Sequence, residues 1–195
     1  MSTPAGPWSM DDAMAYGRRL LRGEQVTLRP TAEEDLPALV AFWTAPDFAV
    51  LQTGPYRPRP TAATVAQFRT WSANESPASV GFSVVTDDDR LAGHVTLSGL
   101  ELPTRIVTLG VVMGAEHVSH GIGTDAVRVA VRYAFAEMGA HKVELQAWAF
   151  NDRALAAYEK AGFVREGVRR AAVLHDGRFH DEVLMGLLAE EWSPA

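Results

Sequence analysis

Apolar positions along this chain switch between two spacings. Leu36, Leu39, Val40 and Trp43 recur at i, i+3, i+4 and i+7, the face of one helix, and Thr31 with Glu34 three residues on predicts a capping box at its start. Residues 26–29, 81–86, 90–100 and 105–113 are short apolar-rich runs separated by polar breaks such as Asp87-Asp88-Asp89, and read as strands, the last three as an antiparallel meander. Residues 46–60, with Phe48, Tyr56, Arg57 and Arg59 among prolines, read as a loop, and residues 61–72 as a helix.

The helical spacing then returns in Ala126, Val127, Ala130, Val131, Ala134, Phe135 and Met138, followed by a strand over 142–150. A strand, a helix and a second strand in succession predict that 105–113 and 142–150 run parallel, joined by a right-handed crossover. Asn151 is a good N-cap for a short helix carrying Ala154, Leu155, Tyr158 and Ala161 on one side, stopped by Gly162. Runs 164–174 and 178–188 flank His175-Asp176-Gly177, a hairpin turn. The sum is an α/β fold built on a mixed sheet, and strand 178–188 offers an edge on which a homodimer could form.

Length and composition set the outer bounds. At 195 residues, 47% apolar and 22% charged, the chain suits one domain, over residues 24–192. Residues 1–23 read as an extension holding one short helix: Ser9 caps it, Asp11 and Asp12 lie in its first turn, and Arg18, Arg19 and Arg22 lie late. Its apolar Met10, Met14, Leu20 and Leu21 call for packing on the same domain or on a second subunit. No apolar run reaches the ~18 residues of a membrane span, and no basic-then-apolar leader opens the chain, so neither a membrane nor a secreted protein is expected. Zero cysteines exclude disulfides, thiolate metal sites and a Cys nucleophile, and suit a cytoplasmic location. A formal charge of −6 argues against nucleic-acid binding and favours a cationic partner such as an amine.

The candidate chemistry starts at the glycines. Gly121-Ile122-Gly123 opens a helix, and a helix N-terminus reached through glycines holds anionic phosphate with its unpaired backbone N–H groups. The run Gly121 to Ala126 formally fits the G-x-G-x-x-A dinucleotide motif, but residues 114–120 intervene between strand and glycine, and Glu144 lies near the start of the next strand rather than its end. A nicotinamide cofactor is therefore disfavoured. His117-x-x-His120 and His180-Asp181 each lack a third ligand at suitable spacing, so no metal is expected. With no G-x-S-x-G elbow and no Cys, direct attack by an acceptor is preferred to a covalent acyl-enzyme. Trp43, Trp71, Phe48 and Tyr56 are candidates for an acceptor pocket, with core packing the first expectation for both tryptophans.

The pairing of V-S-H-G-I-G-T (118–124) with N-D-R-A-L-A-A-Y-E-K-A-G-F (151–163) resembles the GNAT superfamily of acetyl-CoA-dependent N-acetyltransferases. The stretches V-T-L-R-P-T-A-E-E-D-L-P-A-L (26–39) and D-G-R-F-H-D-E-V-L-M-G-L-L (176–188) look like the branch that holds ribosomal-protein alanine N-acetyltransferases together with many small-molecule acetylators. The resemblance implies a fold with a parallel strand pair splayed around the cofactor and a C-terminal β-hairpin. It implies acetyl-CoA as co-substrate and a primary amine, small molecule or peptide N-terminus, as acceptor. Cofactor contacts would come from Val111, Val112 and Met113, from the turn Val118, Ser119, His120, Gly121, Ile122, Gly123 and Thr124, and from Asn151, Arg153, Ala154 and Tyr158. Tyr158 would protonate the departing thiolate as general acid, since a phenol keeps its proton at neutral pH. Val118 stands where the family usually carries Gln or Arg. Thr108 stands near where relatives often carry a carboxylate base, which leaves Glu101 or His120 as the expected base, with His94, His117 and a water chain as further alternatives. A non-catalytic acyl-CoA-binding module of the same fold is the other expectation.

Overall fold

The computed structural model describes residues 8–52 and 56–193. Residues 1–7 of the expected N-terminal extension and 53–55 of the expected loop lie outside the described residues. In chain order the elements are α1 (Met10–Leu20), β1 (Val26–Arg29), α2 (Leu36–Thr44), α3 (Pro46–Ala49), α4 (Thr61–Trp71), β2 (Val80–Thr86), β3 (Leu91–Ser98), β4 (Ile106–Met113), α5 (Ile122–Ala136), β5 (Lys142–Trp148), α6 (Asp152–Lys160), β6 (Val164–His175) and β7 (Arg178–Leu188). The strands form one seven-stranded sheet in the order β1-β2-β3-β4-β5-β7-β6. Every neighbouring pair is antiparallel except β4 and β5.

Alternation along the strands sends two sets of side chains to opposite faces. Val95 and Leu97 of β3, Val107 and Leu109 of β4, and Val143 and Leu145 of β5 are buried in the main core with Ala126, Val127, Ala130, Val131 and Ala134 of α5. The other face is only partly covered. There α2 and α4 build a second, smaller core from Leu36, Leu39, Val40 and Phe68, with Trp43 and Trp71 packed against it, and Phe68 meets the ring of His94 on β3 edge to face. Thr108 and Gln146, farther along the same face, are exposed.

Several expectations are corrected. The Thr31/Glu34 capping box does not form: Asp35 accepts the Ala32 N–H at 2.9 Å, a fork of bonds from Arg29 at 2.7 and 2.8 Å, and the Ser83 hydroxyl at 2.8 Å. Burial alone would raise the Asp35 carboxyl, but these bonds outweigh it and hold it below the usual carboxylate range. The expected loop over 46–60 contains the short helix α3, because Pro46 at its first turn needs no N–H partner. The hairpin turn narrows to Asp176-Gly177, both at positive φ, which two-residue hairpins of right-handed twist favour. On that side the outer strand is β6, and β7 lies inside it, paired with β5 over Glu182–Leu188, so most of the expected edge 178–188 is covered.

At the N-terminus, Ser9 and Asp12 form the reciprocal cap of α1. The helix leans on α5 through polar bonds, Tyr16 to Glu137 and Arg132 Nε to the Leu20 carbonyl. Leu21 reaches the main core, whereas Met10 and Met14 stay exposed.

Candidate active site

β4 and β5 pair only at Ile106↔Lys142, Val107↔Val143 and Thr108↔Glu144. Beyond that rung the strands part. β4 stays bonded to β3 as far as Met113, and β5 to β7 as far as Trp148, so the facing backbone edges of Leu109–Met113 and Leu145–Trp148 are left to a ligand. Unpaired strand edges bind an extended chain through its amides. The opening leads into a cleft of about 900 Å³.

At the wide end the chain leaves β4, passes a single 3₁₀ turn (Ala115–His117) and enters α5 through Ser119 at φ 67° and Gly121 at φ 84°. Gly121 is the N-cap, and no side chain caps the helix. The first N–H groups of α5 therefore keep their hydrogen-bonding capacity, with the positive end of the helix dipole behind them. Asp125, in that first turn at the edge of the cleft, is already committed. Its buried carboxylate accepts the backbone N–H groups of Glu24, Gln25 and Val26 at 3.1, 2.7 and 3.1 Å, fastening the lead into β1 to the start of α5.

α6 forms one wall. Asn151 caps it, accepting the Ala154 N–H at 3.3 Å, and Tyr158 projects from it to the cleft, its ring tilted against Phe163. Burial pushes the Tyr158 hydroxyl up to about 12, so it holds its proton throughout the neutral range. Among the described residues that hydroxyl has no hydrogen-bond partner, which leaves it to donate to whatever enters.

The opposite wall is aromatic, with the Arg153 guanidinium of α6 over the Phe48 ring at 5.4 Å. Phe42 and Trp43 of α2, Phe48 of α3 and Trp71 of α4 line it, with His94 and Thr96 of β3 beneath. Trp43 and Trp71 meet edge to face at 5.1 Å. The tryptophans thus serve both as core and as wall. Burial drives His94 down to about 4, partly offset by Asp35, and its Nε2 is 2.7 Å from the Ser72 hydroxyl. Gln52 ties this wall to β5: its Nε2 donates to the Trp43 carbonyl at 2.6 Å and its own carbonyl accepts from Trp148 Nε1 at 2.7 Å.

The cleft brings together Val111, Val112, Met113, Val118, Ser119, Gly121, Gly123, Thr124, Asn151, Arg153, Ala154 and Tyr158. It does not bring in Glu101, which lies in the β3–β4 turn beside a separate shallow hollow, nor His120 or Ile122, neither of which reaches its surface. His120 is exposed. His117 does line it, buried at the glycine end with Nε2 3.6 Å from Glu116. Sequence reasoning missed Gln146, Thr96 and Gln25 as lining residues. The period-2 alternation of β3 and β5 places Thr96 and Gln146 on the face of Thr108, a signal that becomes readable once the register is known. Among the described residues no group of three or more His, Cys, Asp or Glu side chains is gathered to hold a metal, and no helix is long and apolar enough to cross a membrane.

The model of the acetyltransferase (GNAT) domain matches residues 25–164. The chain belongs to the GNAT acetyltransferase family. It is 33% identical over 105 residues to the putative ribosomal N-acetyltransferase YdaF of Bacillus subtilis (strain 168), covering 54% of this chain and 57% of that protein. It is 35% identical over 111 residues to the probable N-acetyltransferase YjcK of the same strain, covering 55% and 60%. The chain thus spans little more than half the length of these curated relatives. In three dimensions it overlays the crystal structure of spermidine N-acetyltransferase from Vibrio cholerae, solved in complex with CoA and spermine, with a TM-score of 0.75 and 23% identity over 86% of this chain and 97% of that one. That overlay establishes a shared fold.

Proposed function

We propose that this chain transfers the acetyl group of acetyl-CoA to a primary amine by direct attack. The observation that carries the reading is the parting of β4 from β5 beyond Thr108↔Glu144, in a cleft that ends at the uncapped start of α5. The residues present fit coenzyme A. The amides around Gly121 and Gly123 suit a diphosphate, and the free edge of β4 suits the two amide groups of pantetheine. From Met113 back to Thr108 is roughly 16 Å of strand, a span that an extended phosphopantetheine arm covers, so the thioester would lie at the narrow end, near Tyr158.

Tyr158 belongs to α6, packed on the α5 side of the sheet, while the aromatic wall rises from the other face. The leaving sulfur would therefore turn toward the phenol and the amine would approach from the opposite face. At about 12, Tyr158 is a weaker acid than a free phenol, so its contribution is greatest as a hydrogen bond to charge growing on sulfur, with the proton following as the C–S bond breaks. The names of relatives offer an alanine of a ribosomal protein and spermidine as acceptors. The wall of Phe42, Trp43 and Trp71 favours an amine carried on an apolar or aromatic body.

The test is calorimetric titration with acetyl-CoA, followed by thiol release in the presence of 2-phenylethylamine, spermidine and an N-terminal alanine peptide. Binding with turnover of any acceptor supports the proposal. Tight binding without turnover favours a non-catalytic acyl-CoA-binding module, and absence of binding removes the coenzyme site altogether.

A further inference from the structure

An alkyl ammonium must lose a proton before its nitrogen can attack a thioester, and the cleft has few groups able to take one. Buried His94 holds a proton only near pH 4 and spends its Nε2 on Ser72. His117 lies at the glycine end, some five strand residues from the rung where β4 and β5 meet. The lining carboxylates Glu24 and Asp125 are at the same far end, Asp125 fully occupied by three backbone N–H groups. Glu101 and His120 lie outside.

One carboxylate stands at the narrow end, beside the lining residue Thr108 rather than in the lining itself. Glu144 of β5 is the register partner of Thr108 on the last rung before the strands part. Partners in register on adjacent strands point their side chains to the same face, with backbones about 4.8 Å apart. Thr108, its partner on that rung, and Gln146, two residues farther along β5, both line the cleft, so Glu144 lies on the face from which the acceptor arrives. Its charged neighbours there are Lys142 on its own strand and Glu166 on β6. Lys142 Nζ is committed to Glu166 at 2.6 Å, and both side chains fill the space over Gly186 of β7, the other register partner of Glu144. Farther along the face, Glu182 is engaged by Arg169. Half-buried Glu144 makes no ion pair or side-chain hydrogen bond among the described residues.

We infer that Glu144, at the vertex of the β4–β5 cleft, is the general base that deprotonates the acceptor ammonium; this rests on the acetyl-transfer reading above. Its carboxylate takes one proton from the ammonium. The freed nitrogen pair forms the bond to the thioester carbon, the C–S bond breaks, and the sulfur takes the Tyr158 proton. The second nitrogen proton restores the tyrosine, and Glu144 releases its own to solvent, leaving amide and thiol.

The test compares wild type with Glu144→Gln and Glu144→Asp, using 2-phenylethylamine and spermidine, which are protonated at pH 7, and hydroxylamine, which is largely not. For Glu144→Gln, kcat with the alkylamines should fall about 100-fold or more at pH 7 and recover steadily toward pH 9.5, while the rate with hydroxylamine and the affinity for coenzyme A stay within about twofold. Glu144→Asp should recover part of the loss. An unchanged kcat and pH profile in Glu144→Gln with a wild type that turns over alkylamines overturns this inference alone. Equal losses with hydroxylamine and alkylamines overturn it too, since they mark a structural role. A wild type that binds acetyl-CoA yet acetylates no amine overturns both this inference and the transfer reading.

Discussion

His94 provides the clearest quantitative check on the acceptor wall. It is 1% exposed, surrounded by Phe68 and Ser72, and burial lowers it from 6.5 to about 4. Its proton therefore binds the unfolded chain near pH 6.5 and the folded protein only near pH 4. Where the unfolded state holds more protons, stability rises with pH, so the folded state is fully favoured above about 6.5 and loses ground as the pH falls toward 4. Below both values the penalty reaches about 3 kcal/mol, and at pH 4.5 it is already about 2–3 kcal/mol. For a chain of this size that is a drop in melting temperature of roughly 5–10 °C between pH 7 and 4.5. Carboxylates held below their usual range, among them Asp35, Glu33, Asp12 and Asp88, add a loss that begins at about pH 5 and grows below it, common to wild type and variant. Thermal or urea melts of wild type and His94→Gln across this window isolate the effect, because the amide can still bond Ser72 but cannot titrate. The wild-type curve should fall toward the variant's as the solution is acidified. Two curves that stay parallel from pH 7 to 4.5 would refute the claim that this imidazole is held neutral by burial.

Four other substitutions probe the candidate site. Tyr158→Phe should lower kcat by about 10- to 100-fold, leaving coenzyme affinity nearly unchanged, because the ring packing persists and only the proton donor is lost; steady-state kinetics beside calorimetry checks this. Gly121→Ala places a Cβ on backbone at φ 84° and 2.9 Å from Gln25 Nε2, and should cost about 1–2 kcal/mol and weaken coenzyme binding, whereas Gly123→Ala meets only Met113 at 3.7 Å and should fold as well as wild type in the same melts. Asp125→Ala strips the acceptor from three backbone N–H groups, and a loss of about 2–4 kcal/mol in urea denaturation is expected.

The strands and main helices were legible because each buries one face: α5 shows its apolar side every third or fourth residue, and β1 to β4 are bounded by polar turns. What the hydropathy pattern could not show was where strand pairing stops. Leu145 and Ala147 of β5 remain buried in the main core after the bonds to β4 have ended, so the hydropathy pattern continues unbroken on that face. The capping box at Thr31 failed for a related reason. Asp35 gains more from Arg29 and from Ser83, 48 residues away on β2, than Thr31 and Glu34 gain from a local cap. Glu101 looked close to the site because the strand was read to residue 100; β3 ends at Ser98, and the turn carries Glu101 away. Neighbourhood in the sheet also differs from order in the chain, so β7, last in sequence, packs inside β6.

The separation of β4 and β5 also explains why donor and acceptor chemistry can be kept apart in so small a fold. A continuous sheet would seal α6 and Tyr158 from the face that holds Trp43, Trp71 and His94. Three rungs of pairing hold the strands at one end, and their divergence opens a slot through the sheet between a phenol on one side and a carboxylate on the other. On the proposed reading, a thioester threaded in that slot would turn its sulfur toward Tyr158 and its carbonyl carbon toward an incoming nitrogen. On that reading, the rung Thr108↔Glu144 would fix two things together, how far the coenzyme can slide in and which side chain meets the amine there. A substitution that prolonged the pairing past this rung would close the slot and displace both.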